Sequence, residues 1–470
     1  MVEKPKLIFW KSQAFAMLPF CLYIFLGGVF SVGFHYYSMK GLIFSAMISL
    51  LVGFFLCKNK SKYWDSIIHG LAQYSNARLI FIFLIIGIFS KVMSTGNIGG
   101  GFVWLSLHLG IEGSAFVVFS FIASAIISMG AGAPIAALFA VVPIFYPPGI
   151  LLGAGPAMLT GALISGIFFG DALSPSSQVI NTTIMIQHDK TTGRPADLLD
   201  TLKMRTPYIL VAGIISIVIY FIFGAYGGKP GDIGEVGAYS QPKGLLMLIP
   251  IALLLAICFK TRNLFLGLSY AIVTGILVGL VSGLFSFSDI VDIDYEAGNI
   301  TGVIFEGLYS MLDVTVSTIL LYGLIAVAVD GGMLGKCCDW ILSRNFTKTK
   351  RGAETVLMTA TVIINILLAG CVLPSILMFG DAADRIGQAS DITPERRSIL
   401  LMGGATNFSS IIPINSAFVM GSVTIINEMV QHNSFLPHVT PFGIFSSAFY
   451  CLILTAVCIL WVATGDRKNK

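Results

Sequence analysis

The chain has 470 residues, of which 56% are AVILMFWYC and only 11% are charged, with a formal net charge of +4. Soluble domains carry roughly 25% charged residues, and the mean hydropathy here is +0.87, so composition excludes a soluble fold and indicates a polytopic membrane protein. No nucleic-acid partner is expected, because the Lys and Arg sit in loops, where they set orientation in the bilayer.

The eight cysteines are scattered, and no CxxC or Cys/His ligand spacing occurs. They read as reduced structural thiols, and no cofactor or metal centre is expected beyond Na⁺ or H⁺ as coupling ions. The opening segment carries Lys4, Lys6 and Lys11 and runs into a long apolar stretch with no small-residue cleavage site. It is expected to lead a first spanning helix, not a removed signal peptide.

A spanning helix needs about 20 apolar residues. Plain spans are expected over residues 14–34, 41–57, 78–93, 207–224, 244–259, 264–285, 314–330 and 441–463. Basic residues cluster in Lys58/Lys60/Lys62, Lys190/Arg194/Lys203/Arg205, Lys260/Arg262, Lys336/Arg344/Lys348/Lys350/Arg351, Arg385/Arg396/Arg397 and Arg467/Lys468/Lys470. Segments 96–112, 225–241, 286–299 and 431–438 read as loops poor in them, and Asp289, Asp292, Asp294 and Glu296 make one acidic. The positive-inside rule then expects a multi-pass protein of the cell (inner) membrane with both termini cytoplasmic.

That topology closes if residues 113–146 and 355–379 each return to the face they left. Each has a break, Ser128-Met-Gly-Ala-Gly-Ala-Pro134 and Ala369-Gly-Cys-Val-Leu-Pro-Ser375, and reads as a re-entrant hairpin. Residues 156–187 and 398–429 are too long for plain spans and are broken near 170–176 and 407–415. Pro134 and Pro374 stand 240 residues apart, Pro175 and Pro413 238 apart. The lead-ins Trp64–Leu71 and Thr301–Leu308 also correspond, the first after a basic loop and the second after the acidic one. Two inverted repeats follow, with a site expected at their midplane interface.

Asp171 lies inside the first broken stretch, Gly161-Ala-Leu-Ile-Ser-Gly-Ile-Phe-Phe-Gly-Asp-Ala-Leu-Ser-Pro-Ser-Ser177. A charge at bilayer depth costs about 3 kcal/mol by insertion scales and is retained mainly where it lines a polar cavity. Unwound backbone with an acid is how a transporter builds a cation site, and hard cations take oxygen ligands. The candidate residues are Asp171, Ser174, Ser176, Gln178, Asn181, Ser128, Gly130, Asn407, Ser409, Asn415 and Cys371, with Asp171 and Asn407 as Na⁺ ligands. Against this, serines in membrane helices often bond their own backbone, and asparagines often cap helices. Lys91, Asp313, Asp330 and Glu428 lie near predicted helix ends and are expected to snorkel.

Gly170-Asp-Ala-Leu-Ser-Pro-Ser-Ser177 with Asn181 resembles the broken-helix signature of the NhaC-type sodium/proton antiporters, in the ion transporter superfamily. Pro413-Ile-Asn415 is similar to that family's second-half Pro-Trp-Asn, and Gly130–Pro134 sits where it carries a Gly-Thr-Ser tip. The chain departs from the pattern at Gln178-Val-Ile-Asn181, where the family has Asp-Thr-Thr-Asn, at Ala131-Gly-Ala133, and at Ile414 in place of Trp. The resemblance implies a homodimer. Each protomer would have scaffold helices over 1–95 and 243–335, and a mobile transport domain over 96–230 and 355–463.

The expected fold is therefore an all-α polytopic membrane protein of about 10 transmembrane helices plus two re-entrant hairpins, in two inverted repeats, working as an elevator-type transporter. The leading function is Na⁺/H⁺ antiport at Asp171. The alternative is a Na⁺- or H⁺-coupled carrier of an amino acid or small carboxylate, consistent with the less polar site. No ring-like filter sequence suggests a channel, and no HExxH or GxSxG suggests an enzyme.

Overall fold

The computed structural model describes residues 7–10, 12–231, 233–295, 298–332, 344 and 349–465. Lys4, Lys6, Lys11, Glu296, Lys336, Cys337, Cys338, Lys348, Arg467, Lys468 and Lys470 lie outside the described residues. Ten helices among the described residues are long and apolar enough to cross a membrane, or eleven if Pro441–Ser447 and Phe449–Thr464, bent by 55°, form one span. The protein is a helical, multi-pass membrane protein; among the described residues one short strand pair occurs, Asp292–Asp294 against Asn299–Thr301, in the acidic segment read as a loop.

Every plain span expected from hydropathy is present as helix: Gln13–Gly33, Met39–Leu56, Asn76–Thr95, Leu198–Phe223, Pro242–Thr261, Leu264–Ser282, Val303–Asp330 and the bent C-terminal pair. Two start well before their apolar runs, Val303–Asp330 and Leu198–Phe223. Leu198–Phe223 begins at the cap Asp197, whose side chain accepts from Asp200 N at 2.9 Å, and carries Pro207 in its interior.

Segment 96–112, read as a loop, is largely helix, Ile98–Leu109. Its run of glycines is a close-packing surface, not a turn. A Cβ at Gly101 would stand 2.5 Å from Leu245 N, and one at Gly99 would stand 2.7 Å from the Tyr239 hydroxyl. Asn97, in the left-handed region at φ 50°, starts the helix by accepting Gly100 N at 3.0 Å.

The first hairpin has arms Ser114–Ala131 and Pro134–Leu151, each 18 residues and each long enough to span, whereas the sequence suggested a re-entrant pair. Pro134–Leu151 is 89% buried, against 28% for Leu198–Phe223, so the second arm forms the centre of the fold and Leu198–Phe223 its rim. The second hairpin, Lys350–Leu367 and Val372–Ala389, turns at 368–371. The first broken helix packs on the first hairpin through Gly166 and Gly170, where a Cβ would strike the Phe121 and Ala125 carbonyls. Small residues allow this approach, and in a membrane such packing replaces hydrophobic drive.

Candidate functional site

Pro156–Leu173 ends at Ser174, whose backbone turns extended. The chain crosses Ser174–Ser177 and restarts as Gln178–Met185, capped by Ser177, whose Oγ accepts Ile180 N at 3.3 Å. This break is tied to the first hairpin tip. Gln178 N donates to Gly132 O at 2.9 Å. The Ser174 hydroxyl donates to Met129 O at 2.8 Å and lies 2.8 Å from the Ser176 hydroxyl. Gly132 has φ +62°, and a Cβ there would stand 2.7 Å from Ser176 O, so the tip requires glycine on both counts.

The second half repeats this local construction. Pro394–Thr406 gives way at Asn407 to a 3₁₀ turn, Phe408–Ile411, and the chain restarts as Ala417–His432, capped by Ser416 accepting Val419 N at 3.3 Å. The Ser416 hydroxyl also donates to Ser410 O. Ala417 N donates to Ala369 O at 2.8 Å, and Asn415 Nδ2 donates to Ile366 O at 2.7 Å. Ala369 and Gly370 are both left-handed at the tip, φ 56° and 71°. Asn365 ties the second hairpin to the break through Ala405 O, Ser409 Oγ and Ser410 Oγ at 3.0, 2.8 and 3.0 Å. The Phe168 and Phe418 rings, 4.5 Å apart, join the two broken helices.

Both tips and both breaks wall one cavity, with an empty volume of about 810 Å³. Ala133, Pro134 and Gln178 come from the first half, and Ala369, Cys371, Pro374, Asn415 and Ala417 from the second. Tyr23, Leu42, Phe83, Leu321 and Tyr322 close it from the other helices. The walls are mostly apolar. Asn415 Oδ1 is buried beside this cavity with no hydrogen-bond partner.

Asp171 is not among the residues that line the cavity. It lies behind the break, 2% exposed, in a second cluster. The Ser177 hydroxyl, the Arg205 guanidinium and the Tyr450 side chain are near enough to act on its carboxylate. Arg205 is 4% exposed; its Nη2 donates to Ala172 O and its Nη1 meets Met402 Sδ at 3.0 Å. Asp171 Oδ1, Arg205 Nε and the Tyr450 hydroxyl are buried with no hydrogen-bond partner.

The remaining candidates divide by what they touch. Ser174 and Ser176 join tip to break. Asn181 Nδ2 donates to Ser177 O and Pro175 O at 2.8 and 3.2 Å, stitching the break to the helix after it. Ser409 Oγ donates to Gly404 O at 2.9 Å, and Asn407 Oδ1 accepts Ser409 N at 2.9 Å. Ser128 Oγ is buried with no hydrogen-bond partner. Gly130 faces Leu255, with 2.6 Å between that side chain and a Cβ placed there. Gln178, Cys371 and Asn415 are the candidates on the cavity wall. Among the described residues no hydrogen bond joins Asn407 to Asp171, and no three His, Cys, Asp or Glu side chains group as a metal site.

Three arginines grouped with cytoplasmic loops are buried instead. Besides Arg205, Arg396 pairs with Glu354 at 2.8 Å. Arg397, 1% exposed, pairs with Asp384 at 3.1 Å and donates to His188 O at 2.6 Å. Lys91, expected to snorkel, pairs with Glu306 at 2.5 Å. The segment after the first broken helix thereby docks on the second hairpin, with His188 N donating to Asp384 Oδ1 at 2.8 Å and Lys190 bonding Asp391 at 2.9 Å. The Lys190 hydrogen bond and charge hold the exposed Asp391 carboxyl below the usual carboxylate range. Arg205 had one faint signal, a cation set just before the apolar run that begins at Pro207.

The fold and its paired breaks define a multi-pass membrane protein whose buried polar groups gather at unwound helix segments. Residues 237–459 match the family model described as the Na⁺/H⁺ antiporter family. The malate-2H(+)/Na(+)-lactate antiporter of Bacillus subtilis (strain 168) is 26% identical over 198 residues, 42% of this chain and 40% of that protein. The match thus spans two fifths of that relative's length. The crystal structure of the Alcanivorax borkumensis YdaH transporter is similar at a TM-score of 0.40 and 13% identity, over 84% of this chain and 89% of that one.

Proposed function

We propose that the protein is a Na⁺-coupled secondary antiporter that exchanges Na⁺ and H⁺ at Asp171 by alternating access. The observation that carries this reading is Asp171 Oδ1, buried at an unwound helix end without a hydrogen-bond partner. Buried polar atoms are nearly always paired, so an open carboxylate oxygen in this setting fits a proton or a sodium ion. One carboxylate that takes either cation expels the other, which is exchange. Arg205 neutralises the acid when it holds neither.

In this reading 1–95 and 243–335 form the scaffold, and 96–230 and 355–463 form the transport domain. The matched caps Ser177 and Ser416 and the matched bonds Gln178 N to Gly132 O and Ala417 N to Ala369 O support two related halves, inverted in the membrane. The assembly is a homodimer in the cell membrane with cytoplasmic termini.

A second reading, exchange of a small carboxylate, is favoured by the cavity. Its apolar walls offer few of the oxygen ligands a bare Na⁺ prefers. Gln178 and Asn415 can instead hydrogen-bond an organic solute, and the Bacillus subtilis relative is named for malate and lactate. The test is dye-reported proton flux in proteoliposomes, pulsed with Na⁺, Li⁺ and K⁺ and then with lactate, malate and amino acids. Na⁺-dependent proton flux without organic solute upholds the first reading. Flux that appears only with a carboxylate upholds the second, and flux with neither refutes both.

A further inference from the structure

Three cavities adjoin in series. The central cavity shares Tyr322 and Pro374 with a second, of about 860 Å³ empty volume. The second shares Ser66, His69 and Asp330 with a third, of about 640 Å³, which reaches Leu7 and Lys62. The series runs from the two hairpin tips to the face that carries Lys62. Its chemistry changes along the way. The central walls are mostly apolar, whereas Ser66, His69, Gln73, Asn76 and Asp330 line the second cavity, and Asp65 joins in the third.

Tyr322 lines both the apolar and the polar cavity and is 4% exposed. Its helix, Leu312–Asp330, is held against the lead-in helix Lys60–Leu71. A Cβ at Gly70 would come 2.6 Å from Ala326 Cβ, and the Ser66 hydroxyl donates to Asp330 Oδ2 at 2.7 Å. Pro374, which also lines both cavities, belongs to the second hairpin, a different body in the alternating-access reading. Two other bonds cross between the same bodies. Ser31 Oγ donates to Ile414 O at 3.0 Å, and Met39 N donates to Thr424 Oγ1 at 3.3 Å.

We infer that these cavities are the cargo route between the central site and the Lys62 face, that Tyr322 against Pro374 is its gate, and that the Ser31–Ile414 and Met39–Thr424 bonds seal the opposite face. This rests on the alternating-access reading and deepens it. The cargo class is a small polar or charged solute, since the vestibule offers hydroxyl, amide, imidazole and carboxylate groups to replace its water. Movement of the hairpin carries Pro374 away from Tyr322. Because one partner is on the scaffold and the other on the moving part, the gate and the opposite seal cannot both stay closed through the cycle.

The test reads thiol accessibility and needs no transport. Cys371 lies on the central cavity wall, and Val329 lies on the vestibule wall. A membrane-impermeant maleimide is applied to each face of oriented vesicles, and modification of each cysteine is read by peptide mass spectrometry. Val329→Cys is expected to react quickly from the Lys62 face alone. Cys371 is expected to react slowly in the native chain, about tenfold faster in Tyr322→Ala, and at the native rate in Tyr322→Phe, which keeps the ring and the fold. Equal Cys371 rates in the native chain and Tyr322→Ala, with Val329→Cys reacting normally, would overturn the gate. A Val329→Cys that reacts from neither face would overturn the conduit. Gated labelling together with no flux in the proteoliposome assay would keep the route and remove the antiport reading.

Discussion

Replacing Asp171 by Asn removes the buried carboxylate that acts electrostatically on the buried Arg205 and leaves that cation uncompensated. Arg205 would keep only Ala172 O and Met402 Sδ, with Nε already lacking a partner. Removing one member of a buried ion pair typically costs about 3–5 kcal/mol, because the remaining charge stays desolvated. Among the described residues no direct salt bridge joins Asp171 and Arg205, so the lower end, about 3 kcal/mol, is expected. The double variant Asp171→Asn/Arg205→Met removes both charges at similar volume and is expected to recover most of that loss, since such neutral replacements are often harmless. Thermal melting of purified protein in detergent, across native, single and double variants, forms a double-mutant cycle. Proton flux is expected to be absent in both the single and the double variant, because the exchanging oxygen is gone in each. A single variant as stable as the native chain, or a double variant no more stable than the single, would refute the coupling of the two charges. Flux in the double variant would refute Asp171 as the exchange site.

Gln178→Asp places a carboxylate on the cavity wall at a helix N-terminus, which tolerates an anion by roughly 0.3–1 kcal/mol, so the fold is expected to hold. In paired assays it tightens apparent Na⁺ affinity if the cargo is a cation, and weakens uptake at least about tenfold if the cargo is a carboxylate; no change in either means that the side chain does not meet cargo. Gly132→Ala is expected to cost about 1–3 kcal/mol and abolish flux, because the methyl would stand 2.7 Å from Ser176 O at φ +62°. Ala369→Gly, also at positive φ, is expected to stay within about 1 kcal/mol of native melting; equal effects of the two would refute the packing argument. Arg397→Met should destabilise by about 1–3 kcal/mol, because Asp384 loses its charged partner but keeps His188 N and Gln388 Nε2, while Lys190→Ala, at an exposed pair, leaves melting unchanged. Cysteines at Asp292 and Arg351 should be labelled from opposite faces; labelling from one face would overturn the charge-based topology.

Spanning helices are legible in sequence because bilayer thickness sets a length that an apolar run either reaches or misses. The breaks at Pro175 and Pro413 were legible from the cost of proline in a helix, whereas Gly170 stays inside Pro156–Leu173 and serves helix packing. Glycine is where local reading fails, since Gly99 to Gly101 permit close helix packing as readily as they permit a turn, and only their neighbours at 239–245 decide which. The pairing of charges lay wholly in the tertiary structure. Arg205 looks like a loop cation until the broken helix, 33 residues back at Ala172, lies against it. Arg396, Arg397 and Lys91 find their acids on other helices in the same way. Cavity walls are likewise a property of assembly. The sequence marked Gln178, Cys371 and Asn415 as polar or small residues at breaks, but Tyr322 carries no such mark, because its place depends on how one helix face meets a hairpin tip some fifty residues later in the chain.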